Sequence, residues 1–129
     1  MRLLLDTNAL LWDLAGSDRI QPAVVALIVD PTNEVFVSAA SAWEIAVKFA
    51  LGKLSVSEHP RDWLPRHLAA NRFVPLSITI QHALAVADLP RHHRDPFDRI
   101  LVAQAKLEQL ALVTGDEKLA AYGVELVVC

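Results

Sequence analysis

Two apolar runs, too short to be helices and too apolar to lie on a surface, set the terms for this chain. Leu3-Leu4-Leu5 and Ala111-Leu112-Val113 contain no polar position, and each soon gives way to an acid, Asp6 and Asp116 respectively. A strand with one wet face alternates polar and apolar residues, whereas a strand covered on both faces reads as an unbroken apolar run. Five strand candidates follow: Arg2–Leu5, Glu34–Val37, Phe73–Ser77, Ala111–Thr114 and Val124–Val128. Helical patterns fill the intervals at Ala9–Ala15, Pro22–Val29, Ser38 or Ser41 to about Leu51, Arg61–Asn71, Thr79–Ala87 and Pro96–Leu110. Gly16 and Gly52 break two of them, and Leu89-Pro90 ends a third. Strand–helix alternation of this kind predicts an α/β domain in three layers, with a mostly parallel sheet between helices.

Length and composition narrow the class. A chain of 129 residues with 53% hydrophobic content fits one compact domain, residues 1–129, with ample core and no disordered tract. The longest apolar stretch, Ala23 to Val29, is far too short to cross a bilayer, which predicts no membrane association. The opening residues resemble a first strand more than a cleavable leader. A single cysteine, Cys129, excludes an intrachain disulfide and suits a reduced, cytoplasmic protein. The net charge of −3 argues against a basic nucleic-acid coat, though a nuclease with a few local cations remains compatible with it.

The acids carry the chemistry. In a parallel sheet the carboxyl ends of the strands share one edge, where α/β proteins bind ligands. Asp6 and Asp116 follow strands, while Glu44 and Asp98 lie in helical patterns able to reach the same edge. Carboxylates gathered there repel one another unless a cation neutralises them, which predicts a Mg²⁺ or Mn²⁺ site and phosphoryl chemistry. Each acid also has a structural explanation. Asp6 and Asp116 can cap the helices that follow them, and Glu44 can pair with Lys48 at i,i+4. Asp98 falls at the third helical position after Asp95 and Pro96, near the positive end of the helix dipole. Capping fully explains Asp95, which is therefore left out of the set.

The motifs Asp6-Thr7-Asn8-Ala9-Leu10, Ser38-Ala-Ala-Ser-Ala-Trp-Glu44-Ile, Asp95-Pro-Phe-Asp98-Arg99 and Thr114-Gly115-Asp116 resemble, in order, those of PIN domains. The fuller texture, with Lys48, Gly52-Lys53-Leu54 and His93-Arg94-Asp95-Pro96, is similar to VapC-type toxins of prokaryotic toxin–antitoxin pairs. The resemblance covers almost the whole chain. It implies a five-stranded parallel sheet in the order 3-2-1-4-5 and a Mg²⁺- or Mn²⁺-dependent endoribonuclease. Its acidic quartet maps onto Asp6, Glu44, Asp98 and Asp116. It also implies a homodimer and a cognate antitoxin protein. Asp6 and Asp98 are the first choice of metal ligands, Asp116 completes the shell, and Glu44 binds a second ion or orients the attacking water.

Other residues are open to two readings. Thr7, Asn8 and Thr114 can orient ligand carboxylates or serve helix entry and strand ends. His92 and His93 invite an acid–base role or read as solvated loop residues. Arg91, Arg94, Lys48 and Lys53 can meet RNA phosphates or water. Trp43 reads as helix packing, and Arg61–Asn71 as a surface helix or a protein interface. The rival functions are another Mg²⁺-dependent phosphoryl enzyme, such as a DNA nuclease or a phosphatase, and a non-catalytic binding module.

Overall fold

The computed structural model describes residues 1–129. Five strands form one sheet: β1 (Arg2–Leu5), β2 (Glu34–Ser38), β3 (Val74–Leu76), β4 (Ala111–Thr114) and β5 (Leu126–Val128). Every pairing is parallel, and the order is β3-β2-β1-β4-β5. The helices are α1 (Thr7–Ala15), α2 (Pro22–Val29), α3 (Ala39–Ala50), α4 (Pro60–Ala70), α5 (Ile80–Ala85) and α6 (Pro96–Glu108). Short 3₁₀ turns occupy Val86–Asp88 and Glu117–Tyr122. No helix is long and apolar enough to cross a membrane.

The central strand shows why three leucines stand in a row. Side chains alternate across a strand, so consecutive residues need cover on opposite faces. Leu3 and Leu5 join Val35, Val37, Ala111 and Val113 under Leu10, Val24, Ile28, Ile45 and Leu64. Leu4 points the other way, with Phe36 and Leu112, under Leu101, Val102, Ala105 and Leu119. All three leucines are completely buried.

The edges deviate from the sequence expectation. β3 and β5 span three residues each, shorter than the segments expected at Phe73–Ser77 and Val124–Val128. Both lie at sheet margins and are only partly covered, so fewer residues gain from pairing. Pro75 lies within β3, where its missing amide is tolerated because an edge strand has an unpaired side. The expected helix through Thr79–Ala87 becomes α5 followed by a 3₁₀ turn, since Pro90 disfavours helical geometry at Leu89.

The topology fixes where a site can form. Chain connections leave β1 toward β2 and β3 on one side, then return to β4 and β5 on the other. The strand order therefore reverses between β1 and β4, and a crevice opens beyond their carboxyl ends. Leu5 is in register with Val113, and the Asp6 amide donates to the Val113 carbonyl at 2.9 Å. Truncation at the sheet centre tests this packing on the face that Leu4 enters. Leu4→Ala should lower the unfolding free energy by about 3 kcal/mol. Urea denaturation should show an earlier midpoint with an unchanged slope.

Candidate functional site

Asp6 lies at the lip of the crevice and does two jobs. As N-cap of α1, its Oδ1 accepts the Ala9 amide at 2.7 Å. The helix consequently begins at Thr7, two residues before the expected Ala9. The Thr7 hydroxyl donates to Ser41 Oγ at 3.0 Å, tying α1 to α3 inside the protein. Asp6 is only 6% exposed, and burial raises its pKa. The Thr114 hydroxyl and the Ala9 amide oppose that rise by stabilising the carboxylate, while the charges of Glu44 and Asp116 add to it.

Asp98 comes from the first turn of α6. Asp95 caps that helix, accepting from the amides of Phe97 and Asp98 at 2.9 and 3.4 Å, and Pro96 occupies the first helical position. This is the role expected of Asp95. Burial is the largest cause of an Asp98 pKa raised to about 7, followed by the charges of Asp95 and Asp6. His93 pulls it down, and Glu44 raises it a little further.

Asp116 uses its two oxygens differently. Oδ1 accepts the Lys118 amide at 3.0 Å, capping the 3₁₀ turn, and Oδ2 lies 2.9 Å from His93 Nε2. The Asp95 amide donates to His93 Nδ1 at 3.1 Å. Nδ1 is thereby an acceptor, and the neutral ring carries its proton on Nε2, aimed at Asp116. His93 Nε2 also lies 3.6 Å from Asp98 Oδ2. The expectation of a solvated loop histidine is corrected here. His93 is drawn inward because its backbone neighbour and two acids supply partners for both ring nitrogens.

Asp6, Asp98 and Asp116 line one open hollow with Asn8, Trp12, Gly115 and Lys118. Gly115 is closely covered, since a Cβ there would lie 3.1 Å from the Trp12 ring and the ring would have to give by a few tenths of an ångström. Glu44 sits apart from this lining. It is buried in α3, and its Oε2 pairs with Lys48 Nζ at 2.7 Å, the ion pair weighed as its structural explanation. Its charge still raises the pKa values of Asp6 and Asp98, which places it beside the cluster.

The donor set fits a hard cation. Carboxylate oxygens of Asp98 and Asp116 lie within 4.8 Å of each other, beside the His93 ring that orients Asp116, and Asp6 faces the same hollow. Two carboxyls held above their ordinary pKa by burial and mutual repulsion form a site whose ionised state a divalent ion would stabilise. Oxygen donors of this kind suit Mg²⁺ or Mn²⁺.

Comparison with known proteins bears on the family and the fold. The PIN domain family model matches residues 3–125. The chain belongs to the PIN domain family. Ribonuclease VapC16 of Mycobacterium tuberculosis (strain ATCC 25618 / H37Rv) is 39% identical over 57 residues. That match takes in 44% of this chain and 40% of the relative, less than half of either. Among solved structures, VapBC2 from Rickettsia felis bound to a promoter DNA fragment superposes with a TM-score of 0.74 at 17% identity. The superposition covers 99% of this chain and 98% of that one. A toxin–antitoxin complex from Klebsiella pneumoniae gives 0.65 at 23% identity, covering 98% and 96%. At these identities the likeness is one of fold. It accords with the PIN-like sheet order 3-2-1-4-5.

One further placement departs from the sequence reading. Trp43, expected to pack within its helix, is 60% exposed and meets the Phe97 ring edge-on at a centroid distance of 4.9 Å. Its helix buries Ser41, Glu44 and Ile45 instead, which turns position 43 outward. Helix α4, read as a surface helix or an interface, is amphipathic: it buries Trp63 and Leu64 in the core and exposes Arg61, Asp62, Pro65 and Arg66. Lys118 went unremarked in the sequence because nothing but the turn after β4 brings it to the hollow.

The raised pKa of Asp98 has a consequence for stability. A carboxyl whose folded pKa lies near 7 against an ordinary 3.8 binds more protons when folded. Its contribution is full below the lower value and is lost as pH rises through the upper one. Without divalent cations, the melting temperature of this PIN domain should therefore rise as pH falls from about 8 to about 5. Asp98→Asn should flatten that slope, and added Mg²⁺ should raise the melting temperature most at the alkaline end.

Proposed function

We propose that this PIN domain is a divalent-metal-dependent endoribonuclease and the toxin of a cytoplasmic toxin–antitoxin pair, acting as one domain over residues 1–129. The observation that carries the proposal is the convergence of Asp6, Asp98 and Asp116 in one hollow at the reversal of strand order. Three repelling carboxyls are costly for a pure binding module and useful to an enzyme that holds a cation. Its relatives support the substrate and the partner: one is a ribonuclease, and structures of the same fold are toxin–antitoxin complexes. A homodimer is part of the same proposal.

Asp6, Asp98 and Asp116 are the residues to hold the ion, with Glu44 placed to bind a second one or orient water. Bound there, a Mg²⁺ or Mn²⁺ ion supplies Lewis-acid stabilisation of charge on a phosphate oxygen and a lowered pKa for water. The protein's part is orientation. The Ala9 amide fixes Asp6, the first turn of α6 fixes Asp98, and His93 fixes Asp116 by donating from Nε2. With its proton committed to Asp116 and Nδ1 accepting from the Asp95 amide, His93 serves as an orienting donor rather than a free base. Lys118 brings the cationic side chain of the hollow's lining to an incoming phosphate. Attack by water in line with the departing 3′ oxygen leaves a 5′-phosphate and a 3′-hydroxyl, without using the RNA 2′-hydroxyl.

Protein purified free of antitoxin and stripped by chelation should cleave RNA only when Mg²⁺ or Mn²⁺ is restored. Asp6→Asn and Asp98→Asn should each lower kcat by about 100-fold or more while circular dichroism stays unchanged. Cleavage without metal, a 2′,3′-cyclic phosphate product, or full activity in both variants would refute the assignment. Preference for DNA would move the activity to a deoxyribonuclease.

A further inference from the structure

Next to the acidic hollow lies a second one of opposite character, lined only by Arg91, His93, Arg94 and Arg99. We propose that it is a subsite for a phosphate of a single-stranded nucleic-acid backbone, one that seats the strand beside the acids. The proposal deepens the nuclease reading and rests on it for the strand's identity.

Arg99 builds the pocket rather than supplying a free charge. Its Nη1 donates to the Pro90 carbonyl at 2.8 Å and the Tyr122 hydroxyl at 3.2 Å. Nη2 donates to the carbonyls of Val86 and Leu89 at 3.1 and 3.3 Å. The loop is fastened again where His92 meets the Tyr122 ring edge-on, at a centroid distance of 5.2 Å, and where His93 reaches Asp116. Between these anchors Arg91 and Arg94 are exposed, and neither forms an ion pair within the protein. Two unpaired guanidiniums on an anchored loop are preorganised for an anion, since little loop entropy is lost on binding.

Position selects the anion. The His93 ring lines the basic pocket and touches Asp116, which lines the acidic one, so a single side chain separates the two. A polyanion with regularly repeated charges can set one phosphate among the arginines and its neighbour over the acids. Arginine suits this use, because its fork of donors matches phosphate oxygens.

The test measures binding apart from cleavage. The probe is a fluorescein-labelled single strand of about 20 nucleotides, 2′-O-methylated and phosphorothioate-linked to resist hydrolysis, titrated in Mg²⁺ by anisotropy. Arg91→Gln/Arg94→Gln should weaken affinity about tenfold near 0.1 M salt. It should also make the plot of log K against log salt shallower by about 0.7, the change for one lost phosphate contact on a single strand. Arg91→Lys/Arg94→Lys should restore the slope, because charge is retained. Unchanged affinity and slope in the glutamine pair, or no binding by the parent protein, overturns the subsite even if RNA is cleaved. Equal binding of a polyglutamate peptide of matched charge reassigns the pocket to an acidic protein partner and overturns it too. Charge-dependent strand binding by a protein that cleaves no RNA would uphold the pocket and reject the nuclease reading.

Discussion

One backbone hydrogen bond, from the Asp6 amide to the Val113 carbonyl, joins the fold of this protein to its chemistry. It extends the β1–β4 ladder one residue beyond the last leucine, so the chain leaves the sheet with Asp6 already oriented. The ladder in turn depends on Leu3, Leu4 and Leu5 finding cover on both faces. Because β1 and β4 flank the reversal in strand order, helices on opposite sides of the sheet both reach this edge. The acids of α1's cap, the β4 turn and α6 converge without any long loop to carry them.

The site also shows how little separates a structural acid from a functional one. Asp6 and Asp116 each give one oxygen to a helical turn while lining the hollow. Capping is what holds them still. Asp95 has the same residue type and a similar position, yet its Oδ1 takes both amides of its turn and the side chain stays outside the hollow's lining. Its charge nonetheless contributes to the raised pKa of Asp98, so a purely structural acid tunes a candidate ligand through space.

The sheet was legible in the sequence because burial on two faces leaves a signature in consecutive residues, as at Leu3-Leu4-Leu5 and Leu112-Val113. The edge strands were less so, since partial cover writes a weaker pattern. Asp6, Asp98 and Asp116 could be located from strand ends and a cap, which are local features. The place of His93 could not, because it depends on Asp116 and on a loop conformation that Arg99 sets together with Tyr122, both Asp116 and Tyr122 being far along the chain. Glu44 lay between two explanations, and the structure shows the Lys48 pair, with its charge also felt at Asp6 and Asp98. Trp43 misled because an aromatic among alanines resembles core, while the helix phase turns it toward solvent.

Adjacent residues on a helix point about 100° apart, and α6 exploits that angle at Asp98 and Arg99. The first faces the acids; the second clasps the loop bearing Arg91 and Arg94. Both are fixed to one rigid turn, so any shift or tilt of α6 carries them together. The turn acts as a ruler: it preserves the interval between the acidic and basic hollows while the protein around it breathes.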